Sequence, residues 1–296
     1  MDNVPALFIK SVLCITSLPD VQWFQVLSSR SWSQLAGDQM KRRKNWRLFI
    51  DNTDNEHLGY LESKYKYPSV FASFDEFAVA DPDLNQITEI WFITPNKMFV
   101  RKDGDDDKIA SKWTKIAAQD IESFKRRFFS RINYGALDRL ELAGTDSIGL
   151  RLDILNHLAD KNLRIRKLEL SYQGPASIDF LKEQVQKKVI VDMSMYGDWP
   201  QKSTAPLVEA LIPQRQLLSF SCYARMSLRE SFFTSLVADW KNDDSPEEKS
   251  VHFWRQTVHS LRSGVYDHPT SEQQLKLEVD TNNNFITLIQ SEFLKR

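Results

Sequence analysis

Apolar and polar residues alternate with two different periods along the middle of this chain. A period of two is typical of a β-strand with one buried face, and a period near 3.6 is typical of an amphipathic helix. The two periods follow each other four times and predict four pairs of a strand and a helix: Leu137–Leu142 with Leu150–Leu158, Ile165–Tyr172 with Ile178–Val185, Val189–Met195 with Leu207–Ile212, and Leu217–Tyr223 with Leu228–Trp240.

These pairs recur at similar distances. Equivalent positions are 28 residues apart from Leu142 to Leu170, 23 from Leu170 to Met193, and 27 from Met193 to Phe220. The spacings fall within the period of about 20–29 residues that is typical of leucine-rich repeats. One strand with one helix cannot cover its own apolar face, so neighbouring pairs are expected to stack on a shared core and a parallel sheet. The repeat lengths vary, and no Asn or Cys recurs after the strands, so we predict an irregular array.

The flanking regions have patterns of their own. From Val4 to Leu35, apolar residues at helical spacing predict short helices joined by tight turns. Asp120 is predicted to cap a helix whose apolar face carries Ile121, Phe124 and Phe128. Alternating or apolar runs predict three strand pairs, with the last one capping the array: Trp46–Asp51 with Leu58–Leu61, Ile87–Ile93 with Met98–Arg101, and Leu275–Val279 with Phe285–Ile289.

Together these patterns predict an α/β protein in three parts. Residues 1–45 form a small helical module, and residues 46–118 form a β-rich connecting region. Residues 119–296 form the irregular, leucine-rich-repeat-like open array of strands and helices, with its carboxy-terminal cap.

Composition narrows the choice of partners. The 296 residues carry 39 Lys and Arg against 40 Asp and Glu, a formal net charge of -1. This balance gives no electrostatic reason to expect a nucleic acid or an anionic membrane as partner. The two cysteines, Cys14 and Cys222, lie between apolar or small residues and are expected to be reduced. Without a signal-peptide or transmembrane pattern, an intracellular location is expected, either cytoplasmic or nuclear.

Motifs that carry chemistry are not found in the sequence. The five histidines have no spacing typical of a catalytic or metal site, and the acidic run Asp103–Asp107 lacks the downstream Glu of an EF-hand. The nine glycines form neither a Gly-x-Gly-x-x-Gly nor a Walker-type loop. We therefore predict no catalytic, cofactor-binding or metal-binding residue.

The amino-terminal helices carry an ordered set of short motifs. Val4-Pro5, Val12-Leu13, Leu18-Pro19, Asp20-Val21, Val26-Leu27, Trp32 and Leu35-Ala36 follow one another between residues 4 and 36. This order resembles the F-box, although Val4 replaces the usual leading Leu and Trp23 is unusual. With strand–helix repeats downstream, the chain is similar to the large nematode family of divergent F-box and F-box-like proteins.

The resemblance implies that this segment binds the Skp adaptor of a cullin–RING ubiquitin ligase. A groove on an adaptor accepts a compact helical face with apolar anchors. Eight residues are predicted to form that face: Val4, Pro5, Phe8, Val12, Leu13, Val21, Leu27 and Trp32. The same residues would also be needed to pack three short helices on each other, so core packing is the alternative interpretation.

Three functions follow from these patterns. The first is a non-enzymatic substrate receptor, whose F-box-like helices bind the Skp adaptor and whose repeats bind a protein substrate not identified by the sequence. The second is a repeat-based binding protein without a role in ubiquitin ligation. The third is a hydrolase that uses scattered Asp and His residues, which would require them to meet in a deep pocket.

Overall fold

The computed structural model describes residues 4–16, 18–53, 56–64, 69–93, 106–117, 120–144, 149–254, 262–280 and 285–291. The chain is a mixed α/β protein, as predicted, and it folds into two compact units, Met1–Arg164 and Ile165–Arg296. The division therefore lies inside the predicted 119–296 array, and the predicted boundaries at residues 45 and 118 fall within the first unit.

Three helices begin the first unit, as the helical spacing of apolar residues predicts. The other helices are short and lie between or after the strands. In chain order the helices are α1 Ala6–Ile15, α2 Leu18–Gln25, α3 Arg30–Arg42, α4 Phe74–Ala78, α5 Asp106–Ala110, α6 Ile121–Phe128 and α7 Leu150–Ala159. Asp120 precedes α6, but its backbone is in the αR region and its side chain accepts no capping hydrogen bond, so the predicted cap is wrong.

The sheet of the first unit combines parallel and antiparallel strands. Its strands are β1 Lys44–Thr53, β2 Glu56–Ser63, β3 Phe71–Ala72, β4 Asn85–Ile93, β5 Thr114–Ile116 and β6 Arg139–Leu142. β1 and β2 form the predicted hairpin, whereas β4 is parallel to both β1 and β6. The predicted partner of β4, Met98–Arg101, lies outside the described residues.

Both faces of this sheet carry aromatic side chains. On one face Trp46 of β1 contacts Phe77 of α4 edge to face, and Phe77 stacks on Phe128 of α6. On the other face Phe49 stacks on Tyr60 at 4.9 Å between ring centroids. A sheet with parallel central strands needs cover on both sides, which these clusters supply.

The second unit alternates strands and helices, and it ends in antiparallel strands. Its elements are β7 Lys167–Ser171, α8 Pro175–Lys187, β8 Asp192–Tyr196, α9 Gln201–Leu211, β9 Ser219–Cys222, α10 Glu230–Lys241, β10 Lys249–Trp254, β11 Gly264–Asp267, β12 Gln274–Asp280 and β13 Phe285–Ser291. β7, β8, β9 and β10 are parallel neighbours in sequence order, followed by β13, β12 and β11. The hairpin of β12 and β13 matches the predicted terminal pair, whereas β10 was not predicted as a strand.

One face of the second sheet is covered by helices. Crossovers between parallel strands are right-handed, so consecutive strands laid down in sequence order place their helices on the same side. α8 packs beside α9, and Phe233 of α10 meets Phe253 of β10 at 5.9 Å. The side chains on the covered face are buried and mostly apolar: Leu168, Leu170, Met193, Met195, Phe220, Cys222, Val251 and Phe253.

Lys188 ends α8 in a left-handed conformation, with φ 52° and ψ 47°. An L side chain costs about 1–2 kcal/mol there, whereas glycine adopts this conformation freely. Lys188→Gly should therefore raise the free energy of unfolding by about 1 kcal/mol in urea denaturation. The matched Lys182→Gly, at an exposed position in the middle of α8, should lower it by about 1 kcal/mol. Equal destabilisation by both changes would contradict the left-handed assignment.

Lys249 is buried on the covered face, and its Nζ donates to the carbonyl oxygens of Ile212 at 2.7 Å and Gln214 at 3.1 Å. Burial lowers the pKa of Lys249 from 10.5 to about 8. Between these values the unfolded chain binds more protons, so stability should rise with pH. We expect wild type to gain on the order of 3 kcal/mol relative to Lys249→Met between pH 7 and 10.5, measured by urea denaturation. A pH-independent difference would contradict the buried amine.

Candidate protein-binding surfaces

The amino-terminal helices α1, α2 and α3 enclose a small core of their own. Its buried residues are Ile9, Leu13, Val21, Trp32 and Ala36. Phe24 stacks on Trp32 with ring centroids 5.2 Å apart. Three of the eight predicted adaptor-binding residues, Leu13, Val21 and Trp32, therefore lie inside the helical unit and cannot contact a partner directly in this conformation.

The remaining predicted residues lie closer to the surface. Val4, Val12 and Leu27 are partly buried against the helical core, whereas Pro5 and Phe8 are exposed. The predicted set thus combines core residues with surface residues. Short apolar patterns are the same in both places, so sequence spacing alone did not separate them.

Large apolar side chains nevertheless face solvent on α1 and around α2. We call these five residues the exposed apolar set: Leu7 at 78%, Phe8 at 56%, Ile15 at 66%, Trp23 at 73% and Val26 at 77% exposure. At 100° per residue, Leu7, Phe8 and Ile15 share one side of α1, opposite Ile9 and Leu13. Only Phe8 was predicted as a binding residue. The sequence did contain a signal that the other four are exposed, because they fall outside the stripe of helically spaced apolar residues that forms the core.

The end of α1 is fixed to the rest of the first unit. Arg43 donates through Nη1 to the carbonyl oxygens of Leu13 at 3.0 Å and Thr16 at 2.7 Å, and Asn133 donates to that of Cys14 at 2.8 Å. These bonds satisfy carbonyl groups that a helix leaves unpaired at its carboxyl end. Burial lowers the pKa of Arg43 to about 10. The helical surface is thus held in a defined position on its unit.

Ion pairs form a polar region around Trp91 in the first unit. Arg47 bonds Glu89 at 2.9 Å, Lys64 bonds the same carboxylate group at 2.5 Å, and the Arg139 guanidinium lies 3.9 Å from the Trp91 ring centroid. Each of these basic groups has an acidic partner beside it. The basic side chains of this region are therefore compensated by carboxylates within it, which is typical of a structural network rather than of a binding site.

The opposite face of the second sheet, which we call the uncovered face because no described helix packs on it, carries a row of aromatic residues. Tyr196 of β8, Tyr223 after β9, Trp254 of β10 and Phe285 of β13 lie side by side, and we call them the aromatic row. Tyr196 and Tyr223 stack at 4.8 Å with 3° between their planes, and Tyr223 and Trp254 stack at 5.7 Å with 7°. Tyr223 is 37% exposed and Trp254 is 43% exposed. The row is therefore a solvent-facing ridge across four strands.

Five small hydroxyl side chains and one histidine lie beside this ridge. Strand register places six residues on the same face, which we call the hydroxyl floor: Ser194, Ser219, Ser221, Ser250, His252 and Thr287. His252 lies between two of the hydroxyls, with Nε2 2.6 Å from Ser250 Oγ and Nδ1 3.2 Å from Thr287 Oγ1. Burial lowers the pKa of His252, so the neutral imidazole is favoured. Thr287 is buried and the other five residues are half-buried, so the floor is less exposed than Tyr223 and Trp254, and we call the floor and the aromatic row together the trough.

Carboxylates lie toward both ends of the trough. Glu169 of β7 is in register with Ser194 and accepts a hydrogen bond from the Tyr196 hydroxyl at 3.3 Å. Glu278 of β12 is in register with Thr287 and pairs with Lys276 at 2.5 Å. The trough is therefore bordered by acidic groups on β7 and β12.

The histidines form no shared site in the described part of the chain. His157 lies 2.7 Å from the Tyr134 hydroxyl, His268 is bonded to the carbonyl oxygen of Trp240, and His57 is buried beside Phe92. Within the described ranges no group of three or more His, Cys, Asp or Glu side chains is placed to hold a metal ion. No described helix is both long enough and apolar enough to cross a membrane.

Trp32 and Trp23 allow a direct test of which residue packs in the core of the helical unit and which lies on its surface. Trp32→Ala should lower the free energy of unfolding by about 3–5 kcal/mol, because it empties the helical core. Trp23→Ala should change it by less than about 0.5 kcal/mol, because the ring faces solvent. Both values come from urea denaturation followed by circular dichroism. Similar losses from both variants would refute the assignment of Trp32 to the core and Trp23 to the surface.

Comparisons with protein-family models, with curated proteins and with solved structures gave no match to this chain. A function for the chain must therefore be inferred from its own surfaces, which are the exposed apolar set on the amino-terminal helices and the trough on the second sheet.

Proposed function

We propose that this chain is a non-enzymatic adaptor that holds two other proteins together. Its amino-terminal helices bind a Skp-type adaptor of a cullin–RING ubiquitin ligase, and its second unit binds a protein substrate. The observation that carries this proposal is the exposed apolar set, because five of the eleven large apolar side chains that are exposed in the described residues lie on this one short helical unit. The F-box-like order of motifs in the same helices supports the choice of partner.

Buried and exposed residues have different roles in this proposal. Leu13, Val21 and Trp32 shape the helical unit from within and act as positioning residues. Phe8 and Trp23 supply the contact, since burying a large aromatic ring at an interface contributes strongly to affinity. The proposed binding surface therefore differs from the predicted one, in which Leu13 and Trp32 were contact residues.

The second unit supplies the other binding site. We interpret its consecutive parallel strands and helices as the irregular leucine-rich-repeat-like array, whose uncovered face is available to a substrate. Ubiquitin transfer would be carried out by the ligase, while this chain brings the substrate close to it. Such a role places the protein in the cytoplasm or the nucleus, where its free Cys14 and Cys222 thiols are stable.

A hydrolase has less support. The Ser250 and His252 side chains are within hydrogen-bond distance, but Thr287 takes the place of an orienting carboxylate. The amides of β9 and β10 belong to the sheet ladder, so they do not form an oxyanion hole at this position. A binding protein without a ligase role remains the second candidate, and adaptor binding distinguishes it from the first.

Binding of a purified Skp-type adaptor should depend on the exposed apolar set. We expect Phe8→Ala and Trp23→Ala each to weaken binding by about 30-fold or more, as hot-spot truncations cost about 2 kcal/mol or more. The matched control is Val79→Ala, which changes an apolar residue at the end of α4 that is 88% exposed, and it should leave binding unchanged. Calorimetry measures the three affinities.

Folded wild-type protein that fails to bind the adaptor would exclude the ligase role and favour the second candidate. Loss of binding in the Val79→Ala control as well would show that the effect is not confined to the helical surface.

A further inference from the structure

Resting on the proposed substrate-binding role of the second unit, we propose that its trough binds an extended basic peptide segment of the partner. The segment lies across the strands, along the hydroxyl floor and beside the aromatic row. Lysine or arginine side chains near its two ends meet Glu169 and Glu278. This assigns a substrate class to the face.

The shape of the trough favours an extended chain over a flat ring. In the aromatic row, neighbouring rings of Tyr196, Tyr223 and Trp254 cover each other's faces and turn their edges to solvent. A flat ligand therefore finds few free ring faces for stacking. A peptide can instead pack its side chains against the ridge and direct its backbone groups at the serine hydroxyls, which both donate and accept hydrogen bonds.

Charge determines which peptide fits. On the uncovered face of the six neighbouring strands β7, β8, β9, β10, β13 and β12, register places the carboxylates Glu169, Asp192, Glu278 and Asp280 and the amines Lys167 and Lys276. Four acidic against two basic groups leave this face of the six strands at -2, although the whole chain is nearly neutral. Lys276 already pairs with Glu278, and their side chains are 37% and 48% exposed, so a peptide cation competes for that carboxylate at the surface. Complementarity therefore favours a basic partner.

Register also sets the length of the segment. Glu169 and Glu278 are the two ends of a line of residues in register, which crosses five strand intervals. Between them the line passes through Ser194, Ser221, His252 and Thr287. Strands are about 4.8 Å apart, so the line from Glu169 to Glu278 spans about 24 Å, which an extended chain covers in about seven residues at roughly 3.3 Å each. Two basic residues about seven positions apart should therefore bind best.

The test uses the full chain and fluorescein-labelled nine-residue peptides in anisotropy titrations. One peptide has Lys at positions 1 and 8 with Ser, Ala and Thr between, a second has Lys at positions 1 and 4, and a third has Glu at positions 1 and 8. We expect the first to bind at least about 10-fold more tightly than the other two. Equal binding of the first two, or no binding of the first, would overturn the proposal.

Variants then locate the binding. Glu169→Gln with Glu278→Gln should weaken binding of the first peptide by about 10-fold or more. The matched control, Glu248→Gln with Glu272→Gln, removes the same charge from exposed loop positions and should change binding by less than about twofold. Ser221→Arg, which fills the floor with a cation, should also abolish binding. An equal loss in the control would show that binding depends only on the net charge of the protein, and the proposed site would be rejected.

Adaptor binding is measured on the same variants. If adaptor binding is kept while the first peptide fails to bind, only the peptide site is rejected. If the peptide binds and the adaptor does not, the ligase role is rejected and the trough stands as a basic-peptide site.

Discussion

Burial of one face of the second sheet is the constraint on which the rest of this structure depends. Four parallel strands follow each other in sequence order, and right-handed crossovers then place α8, α9 and α10 on a single side. The covered face carries mainly Leu, Met, Val and Phe, and the other face carries mainly hydroxyl, aromatic and charged side chains. The same alternation that forms the core therefore creates the surface to which a binding role is assigned.

The amino-terminal helices likewise have one side that packs on their own unit and one side that faces solvent. The helical core around Leu13 and Trp32 is small, so its position depends on external anchors. Arg43 and Asn133 bond the carboxyl end of α1, and the carbonyl oxygen of Ile15 lies so close to Gly135 that a Cβ atom at that position would clash with it. These contacts fix one side of α1 to its unit while Leu7, Phe8 and Ile15 face solvent.

Local patterns predicted the elements better than they predicted the sites. Strict alternation and helical spacing identified the strands and helices from β6 to α10, because each needs only a few neighbouring residues. β10 was missed, because its alternation of polar and apolar residues, from Ser250 to Phe253, is only four residues long. The aromatic row was also missed, because its four members lie on β8, β10 and β13 and just after β9, and meet only through register. Trp32 illustrates a third limit: an apolar residue at helical spacing fits a core and an interface equally well, and only its burial decides.

Hydrogen–deuterium exchange of the full chain, with and without a purified Skp-type adaptor, tests the central claim most directly. The account predicts slower exchange on α1 and α2, around Phe8 and Trp23, with unchanged exchange in the strands of the second unit. Unchanged exchange on α1 and α2, or protection confined to the trough, would contradict it.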